Sequence, residues 1–196
     1  MDPFAPGPQP AGRTPAPGRL GLVQAFTNSF WDLRGDGTDE WADLAGFRAW
    51  LAARGFGGAG GGAGADDRAR ALTLREALRR LALGHHEDGA PDPADLAVLD
   101  ALAAGTPLRL RFAAGAAPQH EPAGEGPDAL LALVLGVVAD AMADGTWSRV
   151  KACPGPHCGW LFYDASRNRA SHWCSMRICG NRVKGREFRA RRRDGE

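Results

Sequence analysis

All four cysteines of this 196-residue chain lie in one C-terminal stretch, as Cys153-x4-Cys158 and Cys174-x4-Cys179, with 15 residues between the pairs. Two like-spaced pairs offer four thiolates, the donor set that zinc prefers in a tetrahedral structural site. The stretch holds few aliphatic residues from which to build a core, so metal binding would supply most of its folding energy. Two disulfides would need an oxidising compartment, and MDPFAPGPQPAGRTPAPG at the N-terminus has no apolar secretory region. A rubredoxin-like iron site uses the same ligands, and a Cys3His variant with His157 or His172 is a further alternative. The expectation is one structural Zn2+ per chain, held by Cys153, Cys158, Cys174 and Cys179.

Other residues with chemical potential carry less. His85-His86-Glu87-Asp88 follows a helix stop at Gly84 and reads as a solvated turn. The glycine run from Gly55 to Gly64 lacks the Gly-Lys-Ser/Thr ending of a phosphate loop and reads as a linker. No Ser/His/Asp or Cys/His grouping has supporting context, so no catalytic residues are assigned and the chain is not expected to be an enzyme.

The formal charge of +1 conceals an asymmetry. Met1 to Thr146 carries 12 Lys+Arg against 19 Asp+Glu, a net of −7, while Trp147 to Glu196 carries 12 against 4, a net of +8. An acidic body joined to a basic module points to a polyanionic partner for the basic end, most often nucleic acid. The most apolar run, Ala129 to Ala139, falls short of the ~20 residues that span a bilayer. The chain therefore reads as soluble and cytoplasmic.

The elements that must position the cysteines follow from periodicity. Residues 1–18 are proline-rich and read as a disordered tail. Leu22, Phe26 and Phe30 have helical spacing. Asp43 to Arg54 reads as a helix with Leu44, Phe47, Trp50 and Leu51 on one face. Asp66 or Asp67 caps a longer helix to Leu83 that turns Ala71, Leu74, Leu78 and Leu81 inward. Asp92-Pro93 opens another, with Leu96, Leu99 and Ala103 facing the core. Pro107 to Phe112 alternates as a strand does and can pair with Pro118 to Pro122. Pro127 to Ala143, apolar almost all round, is the expected central helix, and Trp147 to Ala152 is strand-like.

Within the basic module, Trp160 to Tyr163 is an aromatic strand, Asp164 to Arg169 a turn, and Ala170 to Trp173 a return strand. A helix then runs from Ser175 to Arg193, the order of a treble-clef finger. Arg182, Arg186, Arg189 and Arg193 share a wedge about 60° wide at ~100° per residue, a stripe suited to phosphates and guanine edges. Phe188 points away and is expected to pack on the hairpin aromatics.

Trp160-x-Phe162-Tyr163-Asp164-x-Ser166-Arg167-Asn168, Trp173-Cys174-Ser175-Met176 and Cys179-Gly180-Asn181-Arg182 resemble the CGNR zinc-finger family. The preceding body, through its Trp-Leu-bearing helix at Asp43 to Gly55 and Leu74-Arg75-Glu76-Ala77-Leu78, resembles the ABATE domain, described as a stress-induced transcription regulator. The early acidic segment of that family appears here as Leu22-Val-Gln-Ala-Phe-Thr-Asn28, without its aspartate. The division is then a tail over 1–18, an ABATE-like, mainly α domain with a small β-hairpin over 19–146, and a CGNR-type, treble-clef-like finger over 147–193. The resemblance implies a DNA-binding transcription regulator; an RNA-binding accessory protein or a zinc-stapled interaction module are the rivals. Double-stranded DNA is the expected partner, through Arg167, Arg169, Arg182, Lys184, Arg186, Arg189 and Arg193. A small-molecule effector in the body and a homodimer joining two half-sites complete the expectation.

Overall fold

The computed structural model describes residues 2–31, 38–58, 62–87, 90–115 and 117–194; residues 59–61 of the glycine run and Asp88 of the histidine turn lie outside them. The N-terminal body is helical: α1 (Leu20–Thr27), α2 (Leu44–Ala52), α3 (Ala65–Gly84), α4 (Pro93–Gly105) and α5 (Gly126–Ala143). A hairpin of β1 (Leu108–Arg111) and β2 (Gln119–Pro122) lies between α4 and α5.

Local signals set several helix ends. The Asp43 carboxylate accepts the Gly46 N–H at 2.7 Å and that of Asp92 accepts the Ala94 N–H at 2.8 Å, each satisfying a donor the first turn leaves free. The cap of α3 differs from expectation. Gly64 takes that position, and Asp67 reaches back to its N–H at 2.8 Å.

The core forms where α1, α3 and α5 meet, and α1 is buried along its whole length. Phe26, Trp41, Phe47 and Trp50 pack edge to face, with centroids 4.9 Å (Phe26–Trp41), 5.3 Å (Trp41–Phe47) and 5.2 Å (Trp41–Trp50) apart. Helix α5 has the length and hydropathy of a bilayer span, yet 67% of it is buried inside the fold, the position of a core helix. On α4 it is Leu102, not Ala103, that joins Leu96 and Leu99 against the core.

The alternation in β1 does not mark a buried face, since Leu110 is 56% and Phe112 76% exposed. β2 is the strand that lies on α5, where His120 Nδ1 meets Asp140 Oδ1 at 2.6 Å. The strand-like Trp147 to Ala152 divides into a 3-10 turn (Trp147–Arg149) and β3 (Val150–Ala152).

β3 pairs antiparallel with β4 (Leu161–Tyr163), Val150 opposite Tyr163 and Ala152 opposite Leu161. The aromatic strand thus pairs with the strand before the first cysteine, and residues 170–173 form no return strand. A π turn (Met176–Gly180) leads into α6 (Asn181–Asp194). The result is a mainly α body with one small hairpin and a treble-clef-like finger of hairpin plus helix.

The proline-rich segment, expected to be disordered, is docked. Arg13 is 4% exposed, its guanidinium 4.6 Å from the Trp160 ring centroid and 5.5 Å from that of Trp31. Two aromatic faces around one guanidinium hold a segment whose composition alone shows no such anchor.

Candidate metal centre and basic helix

The hairpin of β3 and β4 brings the first cysteine pair together. Pro154, Gly155, Pro156 and His157 form the knuckle, closed by Cys158 N–H to the Gly155 carbonyl at 2.9 Å and Cys153 N–H to the Trp160 carbonyl at 2.9 Å. A Cβ on Gly155 would stand 3.2 Å from Cys179 Sγ and 3.4 Å from Cys153 Sγ, so any larger residue would press tightly on the thiols. Of the second pair, Cys174 just precedes Ser175 at the start of the π turn and Cys179 lies within it, its N–H bonding the Ser175 carbonyl at 3.0 Å. A Cβ on Gly180 would meet Met176 Sδ at 2.6 Å and Trp173 Cδ1 at 3.1 Å, so a side chain directly after the last cysteine would displace the flexible Met176 side chain.

The four Sγ atoms all lie within 4.8 Å of one another, and Cys158–Cys174 and Cys174–Cys179 are both 3.7 Å apart. A tetrahedron with Zn–S bonds of ~2.3 Å has edges of about 3.8 Å. A disulfide would need ~2.05 Å. The thiols therefore fit zinc, and neither histidine joins them. His157 sits exposed in the knuckle at φ 57°, and His172 stacks on His86 at 4.7 Å and Trp173 at 4.5 Å. Four thiolates leave no open coordination position, so the metal's role is structural.

Around this centre the body supplies partners that the sequence did not announce. Arg13 Nε–H points at Cys174 Sγ at 3.4 Å, placing a cation beside a dianionic Zn(Cys)4 group. A two-stranded hairpin has two unpaired edges, and side chains of the body cover both. Asn28 accepts the Leu161 N–H at 2.7 Å and donates to the Leu161 carbonyl at 2.9 Å, pairing with β4 as a third strand would. On the β3 edge, His85 Nδ1–H donates to the Val150 carbonyl at 2.6 Å and His86 Nε2–H to that of Ala152 at 2.7 Å. The expected solvated turn at His85 and His86 is therefore a half-buried clamp. Burial lowers the pKa of both histidines, against the raising effect of those carbonyls, and keeps them neutral. Arg79 donates to the carbonyls of Thr27 and Phe30 at 2.7 Å each and to that of Gly159 in the knuckle.

Behind the hairpin, Lys151 and Asp164 form a buried ion pair at 2.9 Å, 6% and 0% exposed at their side chains. The Asp164 carboxylate also accepts from Ser166 N–H at 3.0 Å, Ser166 Oγ–H at 2.5 Å and Ser171 N–H at 2.9 Å, so it ties the turn of residues 164–171 to β3. Burial disfavours its charge, but these donors outweigh that and hold its pKa well below the usual carboxylate range. The stabilisation is thus complete above the ordinary carboxylate pKa of ~3.9 and is lost only as pH falls far below it. Replacing Asp164 with asparagine turns an amide donor toward existing donors and leaves Lys151 without an anion. Denaturant unfolding is expected to show a loss of about 2–3 kcal/mol.

Cys179 lies just before Asn181, so the metal fixes where α6 begins. Arg186, Arg189 and Arg193 are exposed and, with Pro156, line a groove of about 390 Å³. Arg182 is half-buried and engaged within the fold. Lys184, Arg191 and Arg192 are also exposed, and at ~100° per residue they fall on another side of α6, so the helix is basic on more than one face. Phe188 does not pack on the hairpin aromatics: it is 57% exposed, with the Arg192 guanidinium 6.0 Å from its ring centroid. Arg167 is exposed in the turn that follows β4, and Arg169, at φ 53°, donates to Ser148 Oγ at 3.1 Å.

A helical body closed over a tetrathiolate finger defines a class of zinc-finger proteins built from two sequence units. Residues 149–192 match the model of the CGNR zinc finger, and residues 20–145 match that of ABATE, described as "Putative stress-induced transcription regulator". The chain belongs to the ABATE family and carries a CGNR zinc finger. Both are regulator or zinc-finger families rather than families of enzymes. Among curated proteins none matches the chain.

Proposed function

We propose that this regulator binds double-stranded DNA through its finger, with α6 as the element that meets the duplex. The observation that carries the reading is the set of exposed cations on a helix whose start is fixed by the metal. Arg186, Arg189 and Arg193 lie along one groove, in a segment of net +8 attached to a body of net −7. The acidic body repels phosphates and leaves the finger as the contact surface. Arg167, Arg169 and Lys184 serve as phosphate contacts beside the helix. Arg182 is partnered within the fold, which makes Arg186 the first fully exposed arginine of the stripe and the better candidate for a base edge. One finger binds modestly, and a homodimer spanning two half-sites would raise the affinity.

The test is fluorescence anisotropy with labelled duplex DNA across a salt series, comparing wild type with R186A/R189A/R193A. The variant is expected to keep its zinc, bind more weakly at every salt concentration and lose about 2 units of the log–log salt slope, about one each for the phosphate contacts of Arg189 and Arg193. Equal affinity at physiological salt would reduce the stripe to a solvated surface and favour an interaction module. A second reading rests on Phe188, an exposed aromatic among arginines, which is the composition of a stacking platform for single-stranded RNA. Tighter binding to single-stranded RNA than to duplex DNA, lost in F188A, would favour it.

A further inference from the structure

Where the body meets the finger, a cleft of about 560 Å³ opens between the start of α1, the end of α5 and the loop leading into β2. That volume falls within the range of small-molecule sites, ~300–1,000 Å³. Its walls are mostly apolar, including Leu20, Val137 and Ala141, and the half-buried Tyr163 at the end of β4 also lines it.

The charges decide what could enter. The lining holds one guanidinium, Arg19, and two carboxylates, Asp140 and Asp144. Arg19 is already engaged: NH1 donates to Asp140 Oδ2 at 2.8 Å and NH2 to the His120 carbonyl at 2.5 Å. The other Asp140 oxygen faces His120 Nδ1 at 2.6 Å. An anion entering the cleft would find the one lining cation among the described residues occupied.

Asp144 differs. Its Oδ1 accepts the Thr146 hydroxyl at 2.5 Å and the Thr146 N–H at 2.8 Å, and its Oδ2 takes no hydrogen bond among the described residues. The Thr146 hydroxyl and N–H lower its pKa, so the group is ionised at neutral pH. An apolar cleft with one carboxylate beyond its internal pairing, and a tyrosine ring on its wall, suits a particular chemistry. A hydrophobic body fills it, and a delocalised positive charge is attracted by both the carboxylate and the ring face.

We propose that this cleft is a binding site for a small lipophilic organic cation, placed where occupancy touches both the body and the last residue of β4. This goes beyond the DNA-binding reading and does not depend on it.

Methyltriphenylphosphonium is a suitable probe, with triphenylphosphine oxide as a neutral analogue carrying the same three phenyl rings. Titrations of each into the zinc-loaded full chain, without nucleic acid, are followed by calorimetry at pH 8.5, where ordinary histidine is neutral. Asp144 is exposed and screened by water, so the cation is expected to bind about threefold more tightly than the oxide, and D144N to remove most of that difference. A143W and Q119W, each placing an indole at the lining from an exposed position, are expected to abolish binding of both probes. Q119W carries the test if A143W fails to fold. No binding of the cation, equal affinity for the two probes in wild type, or binding that survives both tryptophan variants would overturn the proposal. Because no DNA is present, failure here leaves the DNA reading standing, and failure of DNA binding leaves this site testable.

Discussion

Removing the zinc, by a chelator or by Cys179→Ser, is expected to unfold the finger and also to lower the stability of the helical body. The first part follows from composition, since among the described residues the cluster around the cysteines contains Trp160, Phe162, Trp31, Trp173 and Ile178 beside the thiols. Metal binding in isolated zinc-finger peptides is worth about 10–16 kcal/mol, and little here could replace it. The second part follows from where the hairpin sits. Trp147, Val150, Ala152 and Leu161 belong to the same hydrophobic cluster as α1, α3 and α5. When the hairpin loosens, those side chains leave the core, and Asn28, His85 and His86 lose their carbonyl partners. Metal analysis should find one zinc per chain in wild type and none in C179S. Far-UV circular dichroism should retain most helical signal, while tryptophan fluorescence changes and the thermal midpoint of the body falls. An unchanged midpoint after metal loss would mean that the finger is an appendage whose packing on the body contributes nothing.

That coupling was not legible in the sequence, although its parts were. The cysteine spacing announces a tetrathiolate because zinc chemistry is local: two ligands per tight turn, two turns close in the chain. The helices of the body were readable for a similar reason, since caps such as Asp43 and Asp92 and the apolar spacing of α2 and α3 act within a few turns. Contacts distant in the chain left weaker traces. Asn28 is paired with Leu161 across 133 residues, and Arg13 with Cys174 across 161. Nothing local distinguishes such an asparagine or arginine from a solvated one. His85 and His86 did carry a signal, as two adjacent imidazoles just past a helix end, but a turn of polar residues has the same pattern when nothing is known to pack against it. The hairpin error has a specific cause. Trp160 to Tyr163 was paired with the residues after it, whereas the knuckle folds it back on Val150 to Ala152. The spacing places Arg186, Arg189 and Arg193 on one face of α6, but Arg182 of the same stripe is half-buried, and Arg191 and Arg192 make the helix basic more widely than one face.

Arg79→Ala is expected to be among the most destabilising single substitutions outside the cysteines, at about 3–5 kcal/mol. Its guanidinium joins α3 to the end of α1, through the carbonyls of Thr27 and Phe30, and to the zinc knuckle, through that of Gly159. Each of those acceptors would be left without its donor, a cost of roughly 1–3 kcal/mol apiece when water cannot reach it, and the three are not additive. Burial lowers the arginine's pKa, with Glu76 at 3.0 Å opposing that effect, so the site holds the cation at a desolvation cost that its partners offset. Glu76 is 38% exposed and can rehydrate, so the carbonyls rather than the ion pair account for most of the loss. Methionine at this position would restore volume but no donors, and R79M should therefore recover only a small part of the stability. The informative measurement is a double cycle with metal. In the zinc-loaded protein R79A loses contacts on both sides, whereas in the chelated protein the knuckle is already free and only the Thr27 and Phe30 contacts remain. The destabilisation by R79A should thus shrink by about 1–2 kcal/mol once zinc is removed. An identical loss in both states would show that Arg79 serves the body alone, and that the finger is held to it by the hairpin edges and the shared core.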